Sequence, residues 1–215
     1  FLLALILVNT VPTGSVTGYG NLFGYFLLTA KEFLVGTALG FISYVMFSAI
    51  YIAGQLIDMQ IGFGMVNVLD PMSNIQIPVT ANFYFIISML VFLAVNGHHM
   101  LIRALFESYR LVPLGKAVFD ATVTDNIIRI FGELFFVGFK IAAPVTASVL
   151  ITDVALGIIS KTIPQINVFV VGMPFKLVIG IAVMMITIPM LIIVLVALFN
   201  GMESEMLRFL TGQGG

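Results

Sequence analysis

The stretch AGQLIDMQIGFGMVNVLDPMSNIQIP, residues 53–78, decides how this chain is read. It gathers Gln55, Asp58, Gln60, Asn67, Asp70, Asn74 and Gln76 in a protein where only 9% of residues are charged. Gly54, Gly62, Gly64, Pro71 and Pro78 punctuate it. An unbroken helix does not run through so many glycines and prolines, which cost it backbone entropy and hydrogen bonds. The flanks read the opposite way. Residues 22–57 are an apolar run interrupted only by Lys31 and Glu32, and residues 79–111 are again mostly apolar. The stretch is therefore a polar break between two long helices.

Working outward, the whole chain is too apolar to face water. Hydrophobic residues make up 60% of the 215 positions. A soluble domain is about a quarter charged. So few charges cannot cover a solvated surface, and lipid or a large protein partner must cover the rest. The fold expected is an all-α membrane protein of long kinked helices and helical hairpins. The net charge of -1 gives no field that would draw nucleic acid. The absence of cysteine excludes disulfides, thiolate metal sites and a cysteine nucleophile.

Residues 1–11 read as the end of an apolar helix, and Phe1 as a truncation point. FLLALILV lacks the basic region and small-residue cleavage site of a signal peptide. Residues 11–21 are a loop by their Pro, Gly and Ser content. A helix over about 30 residues of 22–57 would reach roughly 45 Å, more than the hydrocarbon core of a bilayer. The helix over 79–111 places Arg103 and Glu107 at i,i+4, where they can pair, and Pro113 and Gly115 end it. A polar loop over 114–126 follows, with Lys116, Asp120 and Asp125, and Thr124 or Asp125 as the expected cap of the next helix. Residues 127–160 and 166–199 are two more apolar helices. The short connection around Pro164 makes them an antiparallel hairpin. Lys140, Asp153, Lys161 and Lys176 are spaced along it, so its helices pack against other helices or water rather than bare lipid. ESEMLRFLTGQGG closes the chain as an amphipathic helix running into glycines.

Little of this points to catalysis. His98 and His99 project about 100° apart on a helix and have no carboxylate in register, so they read as packing histidines, not metal ligands. IGFG is too short and apolar to cradle phosphate, and no nucleophile–base pattern appears. No catalytic residue, cofactor or metal site is expected. Asp58 admits a reading as part of a proton or cation path, because acids at membrane depth mark such paths. Asp70, before Pro71, reads better as a turn residue bonding its own backbone. Met59, Met65 and Met72, with Phe63 and Val68, either close a hydrophobic constriction or fill a core gap.

Four blocks, taken in order, carry a family resemblance. They are AGQLIDMQIGFGMVNVLDP (53–71), LVFLAVNGHHMLIRALFESYRLVPLG (90–115), and, within AAPVTASVLITDVALGIISKTIPQINVFVVGMPFKLVIG (142–180), the PQINVF–GMPFK segment. With the Asp-Pro pair at 70–71, they resemble the FliR family, called SctT in injectisomes, of type III export-gate subunits. The wording is closer to the flagellar branch. Such a resemblance implies a channel subunit assembled with P-type (FliP) and Q-type (FliQ) subunits, beside FlhA-type and FlhB-type components. Unfolded flagellar proteins would leave the cytoplasm through it, at the basal body in the bacterial inner membrane. It implies a P-like part over 1–125, a Q-like hairpin over 126–200 and a polar tail over 201–215. It also implies that the 61–78 loop plugs the pore, with Gly62, Phe63, Gly64, Met65, Val68, Asp70, Pro71 and Met72 as plug residues. Lys161, Pro164, Gln165 and Lys176 would stand near the hairpin bend at the cytoplasmic entrance. From the residues alone, two other classes stay open: a small secondary transporter or ion channel with a broken helix, and a scaffold subunit without pore contact.

Overall fold

A computed structural model describes residues 5–6, 21–63, 78–117, 121–165 and 167–211. Among these residues the regular structure is helical. Five helices follow in order: α1 (Leu22–Ile61), α2 (Val79–Ala94), α3 (Gly97–Leu111), α4 (Ala121–Thr162) and α5 (Val168–Thr211). Three of them are long and apolar enough to cross a membrane, and a fourth span results if α2 and α3 count as one broken crossing. The all-α membrane class is thus as expected. At 1.5 Å per residue the 44 residues of α5 extend about 66 Å, roughly twice the hydrocarbon thickness.

Local chemistry sets the helix ends. The Asn21 carbonyl accepts from the Gly24 and Tyr25 N–H groups to open α1. Gly62, at φ 96, stops it in a left-handed conformation that a side chain disfavours. The expected single helix over 79–111 is two. Asn96 adopts φ 57, ψ 34, and Gly97 sits against the Phe92 ring, where a Cβ would collide with the ring atoms. The Asn-Gly pair breaks the helix because Asn tolerates the left-handed region and Gly leaves room for the ring. The helix expected from 127 begins at Ala121, so Thr124 and Asp125 lie inside α4 and do not cap it. The second hairpin helix starts at Val168, after Asn167, whose side-chain oxygen accepts from Val170 N–H. It then continues through Gly201 to Thr211, so the amphipathic closing segment is the last part of α5.

Pro144, Pro174 and Pro189 lie within helices. Each removes one backbone bond, to the carbonyl four residues earlier. Separately, Ser148 Oγ donates back along the helix to the Pro144 carbonyl at 2.8 Å. Thr29, Thr37, Ser43, Thr152 and Thr187 bond back to carbonyls in the same way, so these hydroxyls need no water.

The chain divides into two compact units, and the boundaries fall inside helices. The first comprises residues 1–46, 92–132 and 197–215. Val35, Leu39, Ile42, Ala104, Ile130, Phe199, Met202, Met206, Phe209 and Leu210 form its core. The spacing of Phe199, Met202, Met206, Phe209 and Leu210 is that of one helix face, and this face explains why the end of α5 is helical. Ion pairs fix that end. Glu205 pairs with Arg129 of α4 at 2.6 Å and with Arg208 at 3.3 Å, and Glu203 with Arg103 of α3 at 3.8 Å. Arg103 therefore pairs with α5 and not with Glu107, as its helix spacing had suggested; Glu107 pairs with Arg110. Glu32 accepts from the Gly115 N–H at 2.9 Å and holds the turn after α3 against α1.

The second unit comprises residues 47–91 and 133–196. Ile50, Ala53, Ile57, Ile61, Tyr84, Val145, Val149 and Leu195 are buried in it. α4 lies close on α1 at Gly138, where a Cβ would stand 3.0 Å from the Ala49 carbonyl oxygen. The hairpin is antiparallel, as expected: Asp153, nine residues before the end of α4, pairs with Lys176, eight residues into α5.

Candidate functional site

The stretch that breaks the two helices is held at its base. One turn before Gly62, the Asp58 carboxylate reaches from α1 to the start of α2. Its Oδ1 accepts from the Thr80 N–H at 2.9 Å, and its Oδ2 from the Thr80 and Ala81 N–H groups at 3.1 and 3.3 Å. The carboxylate is only 6% exposed. The first N–H groups of a helix have no partner within it and carry the positive end of the helix dipole, so a buried anion is stabilised there. Asp58 is a long-range N-cap. It joins residue 58 to residue 80 and so pins the two ends of the segment 62–78.

Gly54 makes the approach possible. It lies one turn before Asp58 on the same helix face. A Cβ on it would fall on the Ala81 backbone, within 2.5 Å of the Ala81 nitrogen. Ile57 and Ile61 fill the adjoining core, and Ile61 also occupies the place where Gly180 of α5 lacks a side chain. The Gly-x-x-x-Asp spacing within AGQLID therefore serves one contact. Gly54 brings the backbones together and Asp58 satisfies the amides exposed there. The Thr80 hydroxyl is buried at the same point, without a partner among the described residues.

This geometry corrects the reading of Asp58 as part of a proton or cation path. Both of its oxygens are engaged by backbone donors. The sequence held a clue to the cap. α2 opens Pro-Val-Thr (78–80), with none of the usual capping side chains ahead of Val79, so its amides needed an acceptor from elsewhere.

Of the expected plug residues, Gly62 is the helix stop and Phe63 follows it half-buried in a single helical turn. Gly64, Met65, Val68, Asp70, Pro71 and Met72 lie outside the described residues. Lys161 lies in the last turn of α4, and Pro164 and Gln165 form the exposed turn after it. Lys176 stands eight residues into α5, where it pairs with Asp153. His98 and His99 bring their rings to 4.2 Å, and the buried His98 Nδ1 has no partner among the described residues. Among the described residues no three acids or histidines cluster as a metal site would require.

Comparison with known proteins places these residues in a family. The family described as "Bacterial export proteins, family 1" matches residues 1–202. The chain belongs to that family. Among its relatives is the Flagellar biosynthetic protein FliR of Bacillus subtilis, 35% identical over 206 residues, which cover 93% of this chain and 78% of the relative. The FliR of Escherichia coli is 30% identical over 164 residues, covering 76% of this chain and 63% of that protein. The FliR of Aquifex aeolicus is 32% identical over 174 residues, covering 80% and 67%. The FliR resemblance drawn from the four sequence blocks therefore stands, with relatives named for flagellar biosynthesis. In this FliR-family chain the clamp residues Gly54, Asp58, Thr80 and Ala81 all lie inside the matched region.

Proposed function

We propose that the chain is a subunit of the flagellar type III protein export gate and that its 61–78 loop plugs the pore. In this reading it assembles with P-type and Q-type subunits in the bacterial inner membrane at the flagellar basal body, beside FlhA-type and FlhB-type components. Unfolded flagellar proteins pass through the channel they form together. Residues 1–125 act as the P-like part and 126–200 as the Q-like hairpin, with Lys161, Pro164 and Gln165 at the cytoplasmic entrance. The chain performs no chemistry. Its work is to complete the channel wall and to keep the pore shut at rest.

The observation that carries the plug reading is the clamp. Asp58 and Gly54 pin both ends of a long polar, glycine-broken segment between helices long enough to span a bilayer. Irregular backbone at membrane depth is tolerated inside protein or against a water-filled cavity, not in lipid. A segment fixed at its base suits a plug that must yield without unravelling the wall. The transporter alternative drew on an isolated acid at membrane depth, and the Thr80 and Ala81 N–H groups, which make three hydrogen bonds to Asp58, remove that support.

Deletion of residues 64–72 tests the reading, since it leaves Gly62 and the clamp in place. The complex should still be recovered with its P-type and Q-type neighbours, while membranes containing it leak ions more than wild type. A deletion complex that assembles and stays as tight as wild type rules out the plug.

A further inference from the structure

The charged residues in the apolar length of the hairpin are not equally satisfied. Asp153 and Lys176 neutralise each other. Lys140 is exposed on α4, and among the described residues no ion pair reaches it. Between Glu133 and Asp153, residues 134–152 form a charge-poor length close to the roughly 20 residues that a bilayer-crossing helix needs. Lys140 is the one charge within it, about 10 Å from its Glu133 end at 1.5 Å per residue.

Its surroundings on the same helix are apolar. Phe136 is 69% exposed and Phe139 63%. On the other side come the small residues Ala143 and Ala147, then Leu150 and Ile151, both exposed. Lipid tails solvate an ammonium poorly, and intramembrane lysines pair with an anion or face a polar cavity. Small residues beside it let a second backbone come close. A bulky aromatic ridge, a cation and a shallow patch of alanine make a helix-sized seat that lacks its negative partner.

We propose that the Lys140 face of α4 seats a transmembrane helix of another protein chain, and that this helix carries a carboxylate at the depth of Lys140. Charge complementarity sets the occupant: a purely apolar helix would leave the ammonium unpaired. This inference rests on the proposed assembly with other membrane chains and is independent of the plug.

The test uses the full-length protein in cells that build flagella, with Lys140→Arg, Lys140→Gln, Lys140→Glu and Ala147→Phe. The readout is the share of the chain recovered in the large membrane complex after mild detergent extraction, relative to total chain in the membrane. Arg should match wild type. Gln should lower recovery several-fold and Glu at least tenfold. Ala147→Phe, which adds bulk without touching charge, should also lower it. Motility suppressors of Lys140→Glu should replace an Asp or Glu in a transmembrane segment of a different chain. Full recovery of both the Gln and Glu variants overturns the proposal. So does normal recovery of Ala147→Phe if Lys140→Glu fails to insert. Native mass spectrometry supplies the third arm. An anionic lipid that stays on the wild-type chain and is lost in Lys140→Gln, with assembly unchanged, assigns Lys140 to a lipid headgroup instead.

Discussion

Each of the two units of the chain is stabilised within itself by different means. The first holds all four arginines, and three of them form ion pairs with Glu203 and Glu205 at the end of α5. The second has no arginine. It relies on close backbone approach at Gly54 and Gly138, on a buried carboxylate capping a helix, and on one Asp–Lys pair. Ion pairs between long side chains adjust when a neighbour changes. A backbone in van der Waals contact with another backbone cannot adjust. The second unit should therefore be the less forgiving, and it contains the Asp58–Thr80 clamp.

The largest effect should follow from the smallest change. Gly54→Ala puts a methyl group on the Ala81 backbone, which no rotamer can move. Overpacking of this kind should cost about 3 kcal/mol. The expected outcome is little folded chain in the membrane and none in the complex, read by protease resistance and recovery. A variant that folds normally would show that α1 and α2 can part at Ala81, and the contrast between units would fall.

Asp58→Ala comes next. It leaves the Thr80 and Ala81 amides buried without an acceptor, at a cost of about 2 kcal/mol by the usual loss of a cap. Asp58→Asn keeps one acceptor oxygen and should cost about half as much. Melting in detergent ranks them. Protease cleavage within 62–78 should rise for Ala more than for Asn, because the base of the loop is loosened.

In the first unit the effects should be smaller and follow exposure. Glu205 is 16% exposed and serves both Arg129 and Arg208, so Glu205→Ala should cost about 1–2 kcal/mol. Arg103 is 71% exposed, and Arg103→Ala should change stability by less than about 0.5 kcal/mol. Melting temperatures of the two variants give the ratio. An Arg103 loss equal to that of Glu205 would mean that the rim pairs act as one network.

Different residues were readable from sequence to different degrees. Hydropathy gave the membrane class and the hairpin, because a run of apolar residues constrains environment whatever its tertiary contacts. Four ordered blocks gave the family. Helix ends were read less well. Thr124 and Asp125 looked like caps, yet α4 starts at Ala121, since cap propensity is weak beside packing along a long helix. Arg103 looked paired within α3, yet its partner lies about a hundred residues away in α5. The Asp58 cap shows the same limit. Its sequence separation of 22 residues hides it from any local pattern, and only the missing cap before Val79 betrays the need for it. The break at Asn96 was locally encoded in Asn-Gly, and the reading of one continuous helix passed over it.

The last prediction reverses the sign of the first with the same substitution on the same helix. Gly36 lies in the part of α1 that belongs to the first unit, and a Cβ there would meet nothing within 4 Å. Glycine is a poor helix former because the unfolded chain has more freedom to lose, so Gly36→Ala should stabilise by about 0.5–1 kcal/mol. Gly54→Ala gains the same propensity term and loses far more to the Ala81 backbone. The difference between the two variants, measured on the same protein in the same detergent, removes propensity and leaves only the contact. A small difference would mean that α1 is limited by its own helix propensity throughout. A difference of several kcal/mol locates the rigid point of the chain at the base of the 62–78 segment, where a plug would need its fixed end.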